Sequence, residues 1–213
     1  LGWRARARGE TVPLEPAVRE EGAGRVLVFE QRDLDPVDPE RGEALSDAPV
    51  VLRLYVRHRE PGHAGTFATW DDLGRWYRDL AGALGAAPAS ARDSARRYAE
   101  ANPELPRPVA FYRHVRDSVR YVALFAGIGG FQPHPPAEVW RVKFGDCKDM
   151  ATLLVSLLRA EGYEAHPVLV ATRGKARVDP EVPAVIAFNH VIVAVRLEPG
   201  GPWLFADPTN KDG

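Results

Sequence analysis

The chain is short of three things. It has a single cysteine, Cys147, among 213 residues, so no internal disulfide can form and no cage of thiolates can hold a metal. It has no excess of either charge, because 28 basic side chains meet 29 acidic ones for a net charge of −1. That balance offers nothing to a nucleic acid or an anionic membrane surface, and neither is expected as a partner. No apolar run approaches the roughly 20 residues that cross a bilayer, so no membrane contact is expected of this stretch. The start, Leu1-Gly2-Trp3-Arg4, lacks both an initiator Met and the basic-then-apolar pattern of a secretory signal. The other end stops in an open turn after Asp207-Pro208. The sequence therefore reads as a fragment of a longer protein, truncated at its C-terminal side as well. What is present is an ordinary globular mixture, 45% hydrophobic and 27% charged, long enough for one large domain or a domain with a piece of another.

Residues 1 to about 60 are β-rich in pattern. Arg25 to Glu30 and Val50 to Val56 are β-branched and aromatic runs on either side of the turn-forming stretch 35–42. This is too short for a complete sandwich and is expected to be the C-terminal part of a larger β-rich domain. Near residue 69 the period changes. Thr69 caps a helix with Leu73, Trp76, Tyr77, Leu80 and Leu84 on one face, and Ala87-Pro88-Ala89 breaks it. A polar helix is expected from Ser90 to Ala101. A third helix, with Val109, Phe111, Tyr112, Val115 and Val119 on one face, is expected to run into 120–124. Residues 127–136 hold too many Gly and Pro for helix or strand, and their glycines make no dinucleotide fingerprint. A short amphipathic piece follows from Ala137 to Val142.

The lone cysteine then appears in an informative place. Gly145-Asp146-Cys147-Lys148-Asp149 opens a helix whose buried stripe is Met150, Leu153, Leu154, Leu157 and Leu158, and Gly162 stops it. Asp146 is the expected N-cap and Asp149 its capping-box partner. Cys147 then sits in the first turn, among unpaired N–H groups at the positive end of the dipole, where a thiolate and a forming oxyanion are both stabilised. Asp146 and Asp149 oppose a thiolate by like charge, so a nucleophile here needs a partner histidine. A buried, inert first-turn residue is the other reading of Cys147.

Three strands are expected beyond the helix: Ala165 to Thr172, Ile186 to Val195 and Trp203 to Asp207. Pro199-Gly200-Gly201-Pro202 makes the last two a hairpin. His190 lies early in one of these strands and Asp207 ends the other, so antiparallel pairing brings imidazole and carboxylate to one edge. There the carboxylate is expected to accept the Nδ1–H and leave Nε2 facing the thiol. A satisfied core histidine and a plain Asp-Pro turn are the blander readings of the same two residues. The remaining histidines, His58, His63, His114, His134 and His166, include no i,i+4 pair, so no metal site is expected.

Taken together, the Gly-Asp-Cys-Lys-Asp string at a helix start, Asn189-His190 in a strand and Asp207-Pro208 after another resemble the transglutaminase-like superfamily. Arg120-Tyr121-Val122 and Gly129-Gly130-Phe131-Gln132-Pro133 resemble bacterial members that carry a β-rich domain of unknown function ahead of the core. The likeness implies an α+β, papain-like core over 66–213, with the cysteine helix packed on an antiparallel sheet. It implies Cys147 as nucleophile, His190 as general base and then acid, and Asp207 as its orienter. The chemistry implied is thioester formation from a carboxamide or peptide bond, ending in hydrolysis or cross-linking, with no cofactor and a protein or peptide as partner. Gln132 is the side-chain candidate for the oxyanion, with a solvent-facing loop residue as its other reading. Trp140 is a candidate wall of the site, with a core position in the amphipathic helix as the reading preferred for it. A non-catalytic binding module on the same fold is the alternative. An acyltransferase of the arylamine acetyltransferase type is disfavoured, since nothing resembles a coenzyme A site. Relatives of this kind are often exported or membrane-attached, and the resemblance leans that way for the full-length protein. The sequence bears on neither oligomeric state nor the identity of the substrate.

Overall fold

The computed structural model describes residues 2–7, 10–12, 15–22, 24–30, 32, 50–55, 67–123, 130–172 and 178–210. The turn stretch at 35–42, His58, His63 and the glycines at 127 and 129 lie outside the described residues. The chain divides into two compact units, Leu1–Trp70 with Thr172–Ala187, and Asp71–Ala171 with Phe188–Gly213.

In the first unit, β1 (Gly2–Ala7) lies between β2 (Glu10–Val12) and β5 (Val50–Tyr55), antiparallel to both. β3 (Ala17–Glu21) and β4 (Gly24–Val28) form a separate antiparallel pair around Gly22, whose φ is 61°. Strands β4 and β5 match the β-branched runs. β1 and β3, built on Arg-Ala and Val-Arg-Glu alternation, lack that cue.

The second unit is a helical layer on a small sheet. It holds α1 (Trp70–Gly82, whose first residue falls in the other unit), α2 (Ala89–Ala101), α3 (Arg107–Ser118), α4 (Pro136–Val142) and α5 (Cys147–Ala160). Its main sheet has the order β10 (Leu204–Ala206), β9 (His190–Arg196), β8 (Glu164–Val170), antiparallel throughout. α5 is the central element. Met150, Leu153, Leu154, Leu157 and Leu158 are each 1% exposed or less, and burying such a side chain contributes about 1.5–3 kcal/mol. They pack with Phe111 and Val115 of α3, Val139 of α4, and Val191, Val193 and Val195 of β9. α2 meets this core through Ala91 and Ala95, both fully buried. This explains how so polar a helix docks: small residues bring its backbone close.

Two expectations change. The third helix does not continue to 124. It stops at Ser118, with Val119 already extended (φ −118°, ψ 122°). Arg120–Tyr121, β6, pairs in parallel with β7, Phe144–Gly145. The Arg120 N–H donates to the Lys143 carbonyl and the Val122 N–H to that of Gly145, bonds that a longer helix would forfeit. The strand expected from Ile186 instead begins at His190, after a 3₁₀ turn at Val185–Ala187 that leaves Ile186 82% exposed. No helix among the described residues is long and apolar enough to cross a membrane.

Candidate active site

The first turn of α5 is built from buried charge. Asp146 is the N-cap and its side chain accepts from the Asp149 N–H, while Asp149 accepts from the Asp146 N–H at 3.1 Å. This closes both halves of a capping box. Lys148, 2% exposed, turns back to pair with the fully buried Asp146 carboxylate. Burial pushes the Asp146 pKa up despite that partner. Asp149 also accepts from the His134 N–H at 2.7 Å and lies 3.1 Å from His134 Nδ1, tying the loop at 131–135 to the helix. Gly145 is required by packing: a Cβ there would fall 2.7 Å from Asp149 Cβ. Cys147 is the first residue of α5 and 5% exposed. The N–H groups of Cys147 and Lys148 have no acceptor among the described residues, as expected for the opening positions of a helix.

The other half comes from the β9–β10 hairpin. Ala206 pairs with Val193. Continuing that register by one residue sets Asp207 opposite Ile192, on the same face as His190 and diagonal to it, a spacing long side chains bridge. His190 Nε2 lies 2.7 Å from Asp207 Oδ2. This reverses the nitrogens expected from sequence. Reaching diagonally across the hairpin extends the ring, so its far nitrogen meets the carboxylate. Nδ1 is the ring nitrogen left free of Asp207. Hydrogen bonding to Asp207 first, and then to Cys147, raises the His190 pKa to about 10 against the opposing effect of burial. Burial acts to raise Asp207, but bonds from His190 and Thr209 outweigh it and hold the carboxyl below its ordinary value. Thr209 gives two of these, from N–H at 3.0 Å and Oγ1 at 2.7 Å, both to Asp207 Oδ1.

Two tyrosines complete the surroundings. Tyr77 of α1 is 4% exposed, and its hydroxyl has no partner among the described residues. Burial, and next the charge of Cys147, hold that phenol far above its ordinary pKa. Tyr121 is 39% exposed. Its pKa is raised by burial, then by Cys147, Asp146 and Asp207, which places its phenol in the field of the same groups.

The structure thus brings together Cys147, His190 and Asp207. Gln132 is half-buried in the tethered loop, two residues before His134. Trp140 packs on the core, with its ring 5.6 Å from that of His114 and beneath the Lys143 ammonium. Sequence reasoning passed over Thr209, although Asp-Pro-Thr carries an Asx-turn signal. It also passed over the His134–Asp149 tether, Lys148 as a buried counter-ion, and Tyr77, which looked like one more residue of an apolar stripe.

Among curated proteins nothing matches the chain. A crystal structure of a protein from Parabacteroides distasonis ATCC 8503, named a "putative protease", shares its fold, with a TM-score of 0.55 at 11% identity over 96% of this chain. The chain spans 37% of that protein's length. A family profile described as the transglutaminase-like superfamily matches residues 92–208. That stretch is more than half of the chain and carries Cys147, His190 and Asp207, and the chain belongs to the transglutaminase-like superfamily.

Proposed function

We propose that this chain carries out thiol-dependent acyl transfer on a carboxamide or peptide bond. The observation that supports it best is the His190–Asp207 bond of 2.7 Å beside a cysteine at a helix start. In this reading Cys147 Sγ, its proton held on His190 Nδ1, attacks the carbonyl carbon. The C–S bond forms and the oxygen takes the negative charge. The Cys147 N–H and the side chain of Gln132 face that oxygen at the free end of the helix. The tetrahedral species collapses as the C–N bond breaks, and the amine leaves with the proton from His190. Water or a second amine then gives its proton to His190 and attacks the thioester. The C–S bond breaks, the acid or new amide leaves, and the thiolate is restored beside the protonated His190. Asp207 keeps the ring oriented and its charged form stable throughout. The substrate is a protein or peptide, and hydrolysis is as open to this arrangement as cross-linking. Residues 1–60 are the C-terminal part of a β-rich domain ahead of the core at 66–213.

The test is the rate of iodoacetamide alkylation of Cys147 between pH 5 and 10, in the parent and in His190→Ala. In the parent the rate at pH 7 should exceed that of an ordinary thiol by about tenfold and change little above it. In the variant it should fall and climb with pH as a free cysteine does. A slow rate in the parent, unaltered by the substitution, would refute the catalytic reading and favour a binding module.

A further inference from the structure

A cavity of about 860 Å³ runs along the flank of α5 facing α1, and the chemistry above makes no use of it. Its lining is mostly apolar, including Leu73, Ala81, Val155, Val168, Leu169 and Phe188. One wall is four consecutive residues of β8, His166 to Leu169. Successive side chains of a strand leave by opposite faces, so four in a row can border one space only along the strand's edge. β8 is an edge strand, with β9 on one side and no strand on the other among the described residues.

The outward backbone groups of that edge can be identified. Along an antiparallel strand, residues alternately direct their N–H and C=O at the partner and away from it. Pro167 has no N–H to give β9. The Ala165 carbonyl accepts from Arg159 Nε of α5 at 2.8 Å. The Val170 carbonyl, in the other phase, accepts from the Asn189 N–H. Residues 165, 167 and 169 therefore face outward. By that alternation the Leu169 N–H and C=O and the Pro167 C=O point away from β9, and no turn, loop or side-chain bond takes them up among the described residues. This open edge leads to the candidate site: Val170 pairs with His190, and Phe188 precedes His190 by two residues.

We propose that the cavity binds an extended apolar segment of the peptide substrate, added as a strand to the free edge of β8. Its main chain pairs with Leu169 and with the Pro167 carbonyl, and its side chains fill the cavity. The inference rests on the acyl-transfer reading for its direction, since the segment's continuation must reach Cys147. The added strand lies two strand spacings from β9, about 10 Å, which about three extended residues cover. The recognised apolar residues therefore stand about three to four positions from the reacting carbonyl.

Two tetrapeptidyl chloromethyl ketones test this, one with two leucines and one with two glutamates at the positions farthest from the reacting carbon. Each labelling rate is divided by the iodoacetamide rate of the same chain. The leucine probe should lead by about tenfold or more, the scale of a buried apolar side chain. Ala81→Trp and Gly74→Phe should each bring the two ratios together. Both positions line the cavity, and a Cβ on Gly74 meets nothing within 4 Å. Methylating the probe amide that faces the Leu169 carbonyl should abolish the lead. Binding of a fluorescein-labelled leucine peptide, followed by anisotropy, needs no thiol chemistry and should weaken about tenfold in both filled variants. An ordinary iodoacetamide rate with that binding intact would overturn the acyl-transfer reading and keep the cavity assignment. Equal labelling by the two probes of a fast thiol would overturn the cavity assignment alone.

Discussion

The two halves of the site are held by different means. At the helix end, Asp146, Lys148 and Asp149 are all 2% exposed or less, and the side chains of Asp146 and Asp149 each meet more than one group. At the sheet edge, the His190 and Asp207 side chains are 16% and 33% exposed, and Asp207 depends on one threonine besides the histidine. The first half is over-determined and dry. The second is sparsely held and partly wet. In the proposed acyl transfer, Cys147 would need to be fixed because it reacts at one point, whereas His190 would pass a proton both ways and gain from a looser partner. The contrast predicts that lesions at the helix end unfold the protein, and lesions at the sheet edge disable it.

The largest expected effect is that of Lys148→Ala. It leaves the Asp146 carboxylate buried without its cation, and breaking a buried pair from one side costs about 3–5 kcal/mol. Urea unfolding at pH 7 should show a loss of that order. The loss should shrink as the pH falls, because burial already raises the Asp146 pKa and its neutral form is the one the folded state then prefers. Asp207→Asn should cost stability less than about 1 kcal/mol, as expected of a third-exposed pair. Its alkylation rate at pH 7 should nevertheless fall about tenfold, because it removes the first cause of the raised His190 pKa. Equal losses of stability in the two variants would erase the contrast.

The next effect is the pH dependence of the sheet edge. The His190 pKa is raised from its ordinary 6.5 to about 10. Its contribution is therefore complete below about pH 6.5 and is lost as the pH rises through about 10. Asp207 is lowered from 3.8, so its contribution holds above that value and goes as the pH falls through the lower, folded one. The gap in melting temperature between the parent and His190→Ala should be widest between about pH 4 and 6.5 and should close by pH 11. A gap that stays constant across that range would mean the histidine acts by packing alone.

The same contrast governs how much could be seen in the sequence. α5 was legible to its cap, because an acid before a long apolar stripe and a glycine after it report burial, and burial fixed the structure. The hairpin was legible from Pro-Gly-Gly-Pro, and with it the nearness of His190 and Asp207. Which ring nitrogen meets the acid was not, since that depends on a diagonal in the register and not on residue type. The short parallel pairing of Arg120–Tyr121 with Phe144–Gly145 was hidden too: it joins residues 24 positions apart, and two-residue strands have no period. Lys148 and Tyr77 escaped for other reasons. Composition places a lysine outside, and Tyr77 fell in an apolar stripe that drew no notice to its hydroxyl.

Thr209→Val gives the smallest effect and divides the two accounts most finely. The substitution keeps the shape and the backbone N–H that donates to Asp207 Oδ1 at 3.0 Å, and removes only the hydroxyl at 2.7 Å. A hydrogen bond to a charged group contributes about 1.5–3 kcal/mol when dry, and less at a carboxylate open to water. If the sheet edge is sparsely held, the lost bond has no substitute. Asp207 should then titrate nearer its ordinary value, and the alkylation rate at pH 7 should drop about threefold with little change in urea midpoint. If water takes the place of the hydroxyl, neither rate nor titration will move. NMR titration of the Asp207 carboxyl carbon separates these outcomes without reference to activity. An unmoved carboxyl would show that His190, the Thr209 N–H and water hold the acid without the hydroxyl.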